Sequence, residues 1–360
     1  MVGILKKVFG GAQEPTDFQP SPKAGGGTFQ APYVVVGAGP AGVIAAETIV
    51  REQKGAQVLL IGNEPEPPYS RMAIPYLLVG KVGEEGTHLR HGEGHYEKLG
   101  ITYKQAKVNE LKPAEHRIDL DTGETVTYGK VCLATGASPI RPPIPGLDKA
   151  GVHHCWTLAD ARKIIEMTQP GSHVVLMGAG FIGCIILEAL ALRGVNLHVI
   201  EMGDRMVPRM LDQTAGTLLK QWCESKGVRV HTGTKIVQVE GNKGSDKDTL
   251  LVDLDNGHQI PAHLVVVAAG VKSNISYLEW SGLKLDQGIV VDEHLFTGVD
   301  DIYAAGDVAQ GPDFTTGGWS VHAIQPTAAD HGRIAALNMI GRPTRYKGSL
   351  VMNVLDTLGL

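Results

Sequence analysis

The stretches YVVVGAGPAG (residues 33–42) and VVLMGAGFIG (residues 174–183) are two copies of one pattern. In each copy, a run rich in apolar residues leads into G-x-G-x-x-G, and an apolar segment with helical spacing follows. A second apolar run comes next, AQVLLI at 56–61 and VNLHVI at 195–200. The sequence therefore predicts two strand–turn–helix–strand units and an α/β chain.

The three glycines of each copy have different roles. The first permits a tight turn, the second lets the backbone approach a pyrophosphate, and the third lets the helix pack closely on the strand. The N–H groups at the start of the helix then face the phosphates. Two copies with matched flanks favour two dinucleotide sites over glycine-rich turns without a ligand. These glycines are Gly37, Gly39 and Gly42 in the first copy and Gly178, Gly180 and Gly183 in the second.

The copies differ after their second strands. In the second copy that strand ends in Glu201, 18 positions after Gly183. A carboxylate there accepts hydrogen bonds from ribose hydroxyls and repels a 2′-phosphate, which predicts NADH over NADPH. Arg205 lies nearby and could hold a 2′-phosphate, so NADPH stays open as the second choice. In the first copy the matching residue is Gly62, and the nearest acid is Glu64.

The composition is that of a globular protein of 360 residues, with 43% apolar and 20% charged residues. A net charge of −5 without a long basic run argues against nucleic acid as a partner. No apolar run reaches the roughly 18 residues of a transmembrane helix. The four scattered cysteines favour a reducing compartment, and we predict the cytoplasm. Residues 1–31 are predicted to be a flexible leader, with a docking or membrane-surface helix as the alternative.

Five motifs follow one another along the chain: VVVGAGPAG (34–42), LATGASPIRPPIPG (133–146), VVLMGAGFIG (174–183), LVVVAAGVKSN (264–274) and DIYAAGDVAQ (301–310). With these motifs the chain resembles the two-dinucleotide flavoprotein reductases of the pyridine nucleotide–disulfide oxidoreductase superfamily. It is most similar to the branch of rubredoxin and ferredoxin reductases and the flavin part of NADH-dependent nitrite reductases. The resemblance implies one bound FAD and one exchanging NADH.

The resemblance also implies the architecture. Two Rossmann-like three-layer domains are expected, with the NAD domain inserted in a split FAD domain. The FAD-binding domain would comprise residues 32–145 and 275–345, and the NAD(P)H-binding domain residues 146–274. Residues 346–360 would begin a third, C-terminal domain that is cut short, with the apolar residues of 347–360 expected in its first strand, and a homodimer is expected only where that domain is present.

The same resemblance assigns residues to the two cofactors, with no catalytic side chain and no metal ligand. Asp307 would accept a hydrogen bond from a ribityl hydroxyl, and a helix that starts near Pro326 would direct its positive end at the flavin pyrimidine ring. The residues expected at the FAD are Gly37, Gly39, Pro40, Ala41, Gly42, Glu64, Arg71, Ala134, Thr135, Gly136, Gly306, Asp307, Ile324 and Gln325. The residues expected at the NAD are Gly178, Gly180, Phe181, Ile182, Gly183, Glu201 and Gly270.

The stretch PPYSRMAIPYLLVG (67–80) bears on the chemical class. Thiol-using relatives have a reactive cysteine in a segment similar to CGIPYYLGG, whereas this chain has Met72 at that position. A thioether forms neither a thiolate nor a disulfide, so a disulfide reductase or a sulfenate peroxidase is not expected. The segment is instead expected to cover the flavin, with Arg71 near its phosphates or ring. A surface charge is the alternative for Arg71.

Three other features leave alternatives open. Many relatives have a glutamate where this chain has Ile185, which leaves the charge at the hydride-transfer site open. His88, His91 and His95 have helical spacing, and a solvated helix is favoured over a metal site. The segment GVHHCW (151–156) is interpreted as the start of the connection to the NAD domain rather than as a set of ligands.

The predicted function is that of an NADH-dependent FAD oxidoreductase without a redox-active cysteine. Hydride would pass from C4 of the nicotinamide to N5 of the flavin, and electrons would leave to an external acceptor. The expected acceptor is a small iron–sulfur or rubredoxin-type carrier, or another redox subunit. The alternatives are a quinone- or oxygen-reducing NADH oxidoreductase and a flavoprotein that uses NADH to switch its association state.

Overall fold

The computed structural model describes residues 27–241, 249–350 and 353–360. No helix in these ranges is long and apolar enough to cross a membrane. The helices are α1 (Pro40–Glu52), α2 (Ile74–Leu78), α3 (His95–Lys98), α4 (Leu158–Met167), α5 (Phe181–Leu192), α6 (Gln213–Ser225) and α7 (Gln325–Met339). In chain order the strands are β1 (Thr28–Val36), β2 (Val58–Gly62), β3 (Ile101–Gln105), β4 (Val108–Lys112), β5 (Arg117–Leu120), β6 (Thr125–Leu133), β7 (Ala137–Pro139), β8 (Val152–His154), β9 (His173–Met177), β10 (Asn196–Glu201), β11 (Arg229–Thr232), β12 (Ile236–Gly241), β13 (Leu250–Leu254), β14 (Gln259–Ala262), β15 (Leu264–Val267), β16 (Val271–Ser273), β17 (Ile289–Val290), β18 (Ile302–Ala304), β19 (Ala309–Pro312) and β20 (Trp319–Val321).

The larger sheet is built around β1, in the order β3-β2-β1-β6-β5-β4, and β18 pairs with β6. β1 runs parallel to β2 and β6, and Val34 lies opposite Leu59 and Val131. All three side chains are buried, as parallel strands covered on both faces require. α1 packs against α7 so closely that a Cβ on Gly332 would lie 2.1 Å from the Ala41 carbonyl oxygen. Because β18 and α7 come late in the chain, this FAD-type unit is built from two separated stretches.

The second sheet has the order β11-β10-β9-β15-β8, with every pair parallel. Its helix α4 begins in a capping box, in which the Asp160 N–H donates to Thr157 Oγ1 and the Thr157 N–H donates to the Asp160 carboxylate. The antiparallel sheet β12-β13-β14 belongs to the same part of the chain, and the ribbon of β7 and β16 connects this unit to the first. The structure thus confirms an α/β fold with one Rossmann-like unit inserted in another. The exact domain boundaries stay predictions.

The start of the chain departs from the prediction of a leader over residues 1–31. Residues 28–31 belong to β1 and pair with residues 125–128 of β6. Pro32 interrupts the run of strand-forming residues, and this break hid the first part of the strand in the sequence pattern. Residues 1–26 lie outside the described residues.

The last described segment, 353–360, also differs from the expected first strand of a further domain. It contains no strand. It lies instead on the inserted unit built around the sheet β11-β10-β9-β15-β8, here called the NAD-type unit. Leu355 and Leu358 pack against the apolar cluster of that unit, and Trp222 Nε1 donates to the Thr357 carbonyl at 3.2 Å. The apolar side chains of Leu355 and Leu358, which suggested a strand, therefore pack against the NAD-type unit instead.

Candidate functional site

One large cavity, of about 440 Å³, lies where the two units meet. The first unit contributes the glycine loop after β1, the segment after β2, the turns after β6 and β18, and the start of α7. The second unit contributes the first turns of α5. The carboxyl ends of the parallel strands of the larger sheet meet here, which is where α/β sheets bind their ligands.

The two glycine loops have matching backbone geometry. Gly37 has a φ of +112° and Gly178 a φ of +102°, values that favour glycine. A Cβ on Gly37 would lie 2.0 Å from the Ala134 carbonyl oxygen, and one on Gly178 would lie 2.5 Å from that of Ala268. Each loop therefore passes against the neighbouring strand end with no room for a side chain.

The second glycine of each loop differs from the first. A Cβ on Gly39 or Gly180 would meet no protein atom within 4 Å. Each of these glycines caps a helix, α1 after Gly39 and α5 after Gly180, and neither cap residue has a side chain to which the first N–H groups could donate. The fold does not require glycine there, but a phosphate that approaches the backbone does. Both loops therefore fit a pyrophosphate.

Arg71 lies at the centre of a polar cluster on the cavity wall. Its Nη2 donates to Glu64 Oε1 at 2.5 Å, and its Nη1 donates to the Tyr69 hydroxyl at 2.8 Å and to the Trp156 carbonyl at 2.6 Å. The guanidinium also lies over the Trp156 ring, 5.3 Å from its centre. This cluster places Arg71 in the cavity wall and argues against a mere surface charge. No sequence signal indicated Trp156, because its contact with Arg71 joins residues far apart in the chain.

Gly62 explains why no acid ends β2. A Cβ there would lie 2.4 Å from the Tyr103 hydroxyl and 2.9 Å from the Ala38 Cβ. Glu64 brings a carboxylate to the cavity two residues later, where it also accepts from the Tyr69 hydroxyl at 2.5 Å. Its contact with a ribose stays a prediction.

Asp307 reaches the cavity from the turn after β18. Burial raises the pKa of its carboxyl to about 6, and the nearby Arg71 opposes that shift. Ser273 Oγ donates to its main-chain carbonyl at 2.8 Å, whereas no described residue donates a hydrogen bond to its carboxylate. A half-buried acceptor without a protein donor fits a ligand that carries hydroxyl groups.

Helix α7 begins at the cavity with Gln325, after the cap residue Ile324 and with Pro326 in its first turn. Ser70 Oγ donates to Gln325 Oε1 at 2.5 Å and so joins the helix start to the 67–80 stretch. Further along the helix, His331 Nδ1 accepts a hydrogen bond from the backbone N–H of Gly306 at 3.3 Å. Burial lowers the pKa of His331 to about 4, so a neutral imidazole supports that turn.

The first turns of α5 form the wall opposite the FAD loop. Phe181 and Ile182, two of the residues expected at the NAD, lie there together with Ile185 and Ile186. The spacing of three and four residues from Ile182 was the available signal for the last two. The other residues expected at the NAD are not among those that line this cavity: Gly178, Gly180, Gly183, Glu201 and Gly270.

Glu201 is 6% exposed and holds the second glycine loop together. Its carboxylate accepts from the N–H groups of Ala179 and Gly203, both at 2.7 Å. Arg205 donates to Asp204 at 2.7 Å and to two main-chain carbonyls, so its guanidinium is already engaged. A 2′-phosphate would have to displace these contacts, which supports NADH over NADPH. The ribose contact of Glu201 stays a prediction.

The cavity wall contains the thioether of Met72 and the thiol of Cys155. Burial raises the pKa of the Cys155 thiol to about 12, so it stays protonated at neutral pH. Of the histidines weighed as metal ligands, His95 bonds to Glu47 at 2.9 Å. Within the described ranges, no group of three potential ligands could hold a metal ion.

The family model described as "Pyridine nucleotide-disulphide oxidoreductase" matches residues 31–323. The chain belongs to the pyridine nucleotide-disulphide oxidoreductase family. As a member of this family it is an FAD-dependent NAD(P)H oxidoreductase, and its cofactors are FAD and NADH. The open glycine loops and the unpaired Asp307 carboxylate agree with that assignment.

The chain is also similar to named proteins and to solved structures. The NADH-dependent phenylglyoxylate dehydrogenase subunit epsilon of Aromatoleum evansii is 31% identical over 91% of this chain and 77% of its own length. Rhodocoxin reductase of Rhodococcus erythropolis is 30% identical over 87% of this chain and 73% of its own length. Among solved structures, a ferredoxin reductase from Rhodopseudomonas palustris superposes with a TM-score of 0.82 at 25% identity, over 88% of this chain and 78% of that one.

Proposed function

We propose that this pyridine nucleotide-disulphide oxidoreductase passes electrons from NADH to a small iron–sulfur or rubredoxin-type carrier, or to another redox subunit. The observation that carries the proposal is a cavity in which the FAD-type glycine loop faces the first turns of α5, with a protonated thiol, that of Cys155, in its wall. Bound FAD supplies the redox chemistry, since it takes up a hydride and can release electrons singly.

The residues of the first unit would bind and orient FAD. The backbone at Gly39 and the start of α1 would hold its pyrophosphate, because both are open and present N–H groups. Asp307 would accept from a ribityl hydroxyl. The positive end of α7, at Gln325, would stabilise negative charge on the flavin edge.

The residues of the second unit would bind NADH and exclude water. Gly180 and the start of α5 would hold the pyrophosphate, with Glu201 directed at the adenosine ribose. The apolar side chains of Ile182 and Ile185 would shield the gap between the two cofactors from solvent. Ile185 brings no charge to this gap, in contrast to the glutamate that many members of the resembled family have there.

The similar proteins support an external acceptor for this chain. Rhodocoxin reductase and the ferredoxin reductase are named for carrier proteins, and the phenylglyoxylate dehydrogenase subunit is part of a larger enzyme. Met72 and the protonated Cys155 leave no internal thiol to accept electrons. Electrons that enter the flavin would therefore leave directly to the partner. A cytoplasmic location belongs to the same proposal, as does a homodimer where the C-terminal domain is present.

An anaerobic titration of the purified protein with NADH tests the proposal. An oxidised-flavin spectrum that bleaches with NADH is expected, followed by fast turnover with rubredoxin- or ferredoxin-type carriers. Faster turnover with quinones or oxygen than with any carrier would favour a low-molecular-weight acceptor. Slow turnover with every acceptor, together with an NADH-dependent change in sedimentation, would favour the association switch. A bound flavin that stays oxidised in excess NADH would contradict all of these enzyme functions.

A further inference from the structure

The 67–80 stretch, here called the bridging segment, connects the two units. Its chain belongs to the FAD-type unit, yet Tyr69, Ile74 and Leu78 are buried in the apolar cluster of the NAD-type unit. Other residues of the segment, among them Met72 and Pro75, line the cavity. The bridging segment therefore has one face on the cofactor cavity and the other on helices α4 and α5.

Arg193 holds the end of this segment. It follows the last residue of α5, and its Nη1 donates to the Leu78 carbonyl, at the end of α2, at 2.5 Å. Its Nη2 donates to the carbonyls of Ile165 and Thr168, at the end of α4, both at 3.0 Å, and its Nε donates to Thr168 Oγ1 at 2.5 Å. A guanidinium placed among helix carboxyl ends donates to carbonyls that lack helical partners, and its positive charge is attracted to the negative ends of the helix dipoles.

Arg193 and the cavity lie at opposite ends of α5. The first turns of this helix line the cavity with Phe181 and Ile185, and its last residue precedes Arg193. A helix transmits a displacement of one end to the other because its backbone is rigid. The contact between Arg193 and Leu78 therefore sets how the cavity end of α5 lies against the FAD-type unit.

We propose that Arg193 is a positioning residue for hydride transfer, which holds the NAD-type unit against the bridging segment so that the two cofactor sites face each other at a fixed separation. The inference rests on the proposed function. Two other arginines also join the units. Arg71 lies in the cavity wall itself, and Arg162 forms ion pairs with Glu66 and Glu84 that are partly exposed and contribute little.

Stopped-flow reduction of the bound flavin by NADH separates positioning from binding. In Arg193→Gln, the limiting rate of flavin bleaching is expected to fall about 10- to 100-fold, as small misplacements of reacting groups cause. The dissociation constant for NADH should change by about twofold or less, because the second glycine loop is untouched. Arg193→Lys keeps the charge but loses the planar fork, and should recover part of the rate. Arg229→Gln is the matched control, since Arg229 contacts His198 within the NAD-type unit.

Hydrogen exchange of the FAD-free protein gives a readout that does not depend on activity. Amides of residues 74–80 should exchange faster in Arg193→Gln than in the wild type, and at the wild-type rate in Arg229→Gln. A limiting rate equal to wild type in a folded Arg193→Gln would overturn the positioning role, whatever the exchange shows. Wild-type flavin that NADH does not reduce would overturn the proposed function itself, and this role with it.

If Arg193→Gln does not fold, Thr168→Val tests the positioning role of Arg193 instead. The substitution keeps the side-chain volume and removes only the acceptor for Arg193 Nε and the hydroxyl bond to the Ile164 carbonyl. A smaller fall in the limiting rate, with unchanged NADH affinity, is the expected result. An unchanged limiting rate would overturn the proposal.

Discussion

Gly37 and Gly39 occupy the same loop for different reasons. Gly37→Ala should prevent a stable fold, because its Cβ would overlap the Ala134 carbonyl and the φ of +112° alone costs about 1–3 kcal/mol. Gly39→Ala should leave the FAD-free protein about as stable as wild type, within about 0.5 kcal/mol. It should weaken FAD binding at least about tenfold, because the Cβ would enter the space of a phosphate that accepts backbone hydrogen bonds. Thermal unfolding and FAD titration check the pair, and a Gly39→Ala protein with normal FAD affinity would contradict the assignment of the loop.

Asp307 is expected to trade stability for cofactor binding. Its folded pKa of about 6 lies above the ordinary value of 3.8, so this carboxyl lowers the stability of the FAD-free protein as pH rises from about 4 to about 6, and its contribution stays lost above. Asp307→Asn should therefore raise the melting temperature of the FAD-free protein at pH 8, and its difference from wild type should shrink towards pH 4. The same change should weaken FAD binding. Melting curves at pH 4, 6 and 8 test the sign, and a lower melting temperature at pH 8 would rule the idea out.

Glu201 combines a structural and a selective role. Glu201→Ala should lower the affinity for NADH more than that for NADPH, so the preference ratio falls. The variant should also lose about 1–3 kcal/mol of unfolding free energy, because the buried N–H groups of Ala179 and Gly203 lose their acceptor. Glu224→Gln, which removes an exposed carboxylate on α6 whose only ion pair within the described ranges is with Lys220 at 3.9 Å, is the control and should change neither quantity. A preference ratio that does not change in Glu201→Ala would show that the carboxylate only supports the loop.

At the scale of elements, the pairing of β10 with β11 brings titratable groups together. His198 Nδ1 lies 3.1 Å from His231 Nε2, the two rings stack, and Arg229 contacts the other nitrogen of His198. Burial and these neighbours, with His173, lower the pKa of His198 to about 4. The folded sheet therefore keeps His198 neutral at pH values at which the same side chain is protonated in the unfolded chain.

The contribution of His198 to the unfolding free energy should consequently fall as pH drops from about 6.5 to about 4, because the unfolded chain binds a proton that folded His198 does not. The loss is on the order of 1 kcal/mol, since solvent screens the half-buried ring, and it opposes the gain that Asp307 gives over the same window. The unfolding free energy of His198→Gln relative to wild type should therefore rise by about this amount from pH 7 to pH 4, as measured by urea unfolding. A profile as steep as that of the wild type would assign the acid sensitivity to other groups.

At the scale of the whole molecule, two Rossmann-like units share one cavity, and the Cys155 thiol in its wall is protonated at neutral pH. Treatment with iodoacetamide at pH 8 should leave the rate of NADH-dependent flavin reduction within about 20% of the untreated rate, because only thiolates react. Burial raises the pKa of Cys155 to about 12, as it does for Cys132 and Cys184, and that of Cys223 to about 11. Cys155→Ser should likewise retain full carrier reduction. If iodoacetamide inactivated the wild type but not Cys155→Ser, a thiol would have to take part in the mechanism.

The sequence by itself determined the two glycine loops with their strands and helices, because local periodicity and glycine spacing act within a few residues and so can be recognised in the chain. The FAD and NADH cofactors and the expected place of Asp307 came from the resemblance of five motifs to a known family. Only the tertiary structure decided that β1 begins at Thr28 and that the segment 353–360 lies on the NAD-type unit.

The tertiary structure also decided the neighbours of the site. The Trp156 carbonyl meets Arg71, and the Leu78 carbonyl meets Arg193, across long stretches of chain. Three other features also depend on contacts that only the folded chain makes. They are the hydrogen bonds of Arg205, the Tyr103 hydroxyl that excludes a side chain at Gly62, and the raised pKa of Cys155. Burial and main-chain hydrogen bonds leave no residue-type pattern, because any residue supplies a carbonyl and the packing that excludes water comes from both units together.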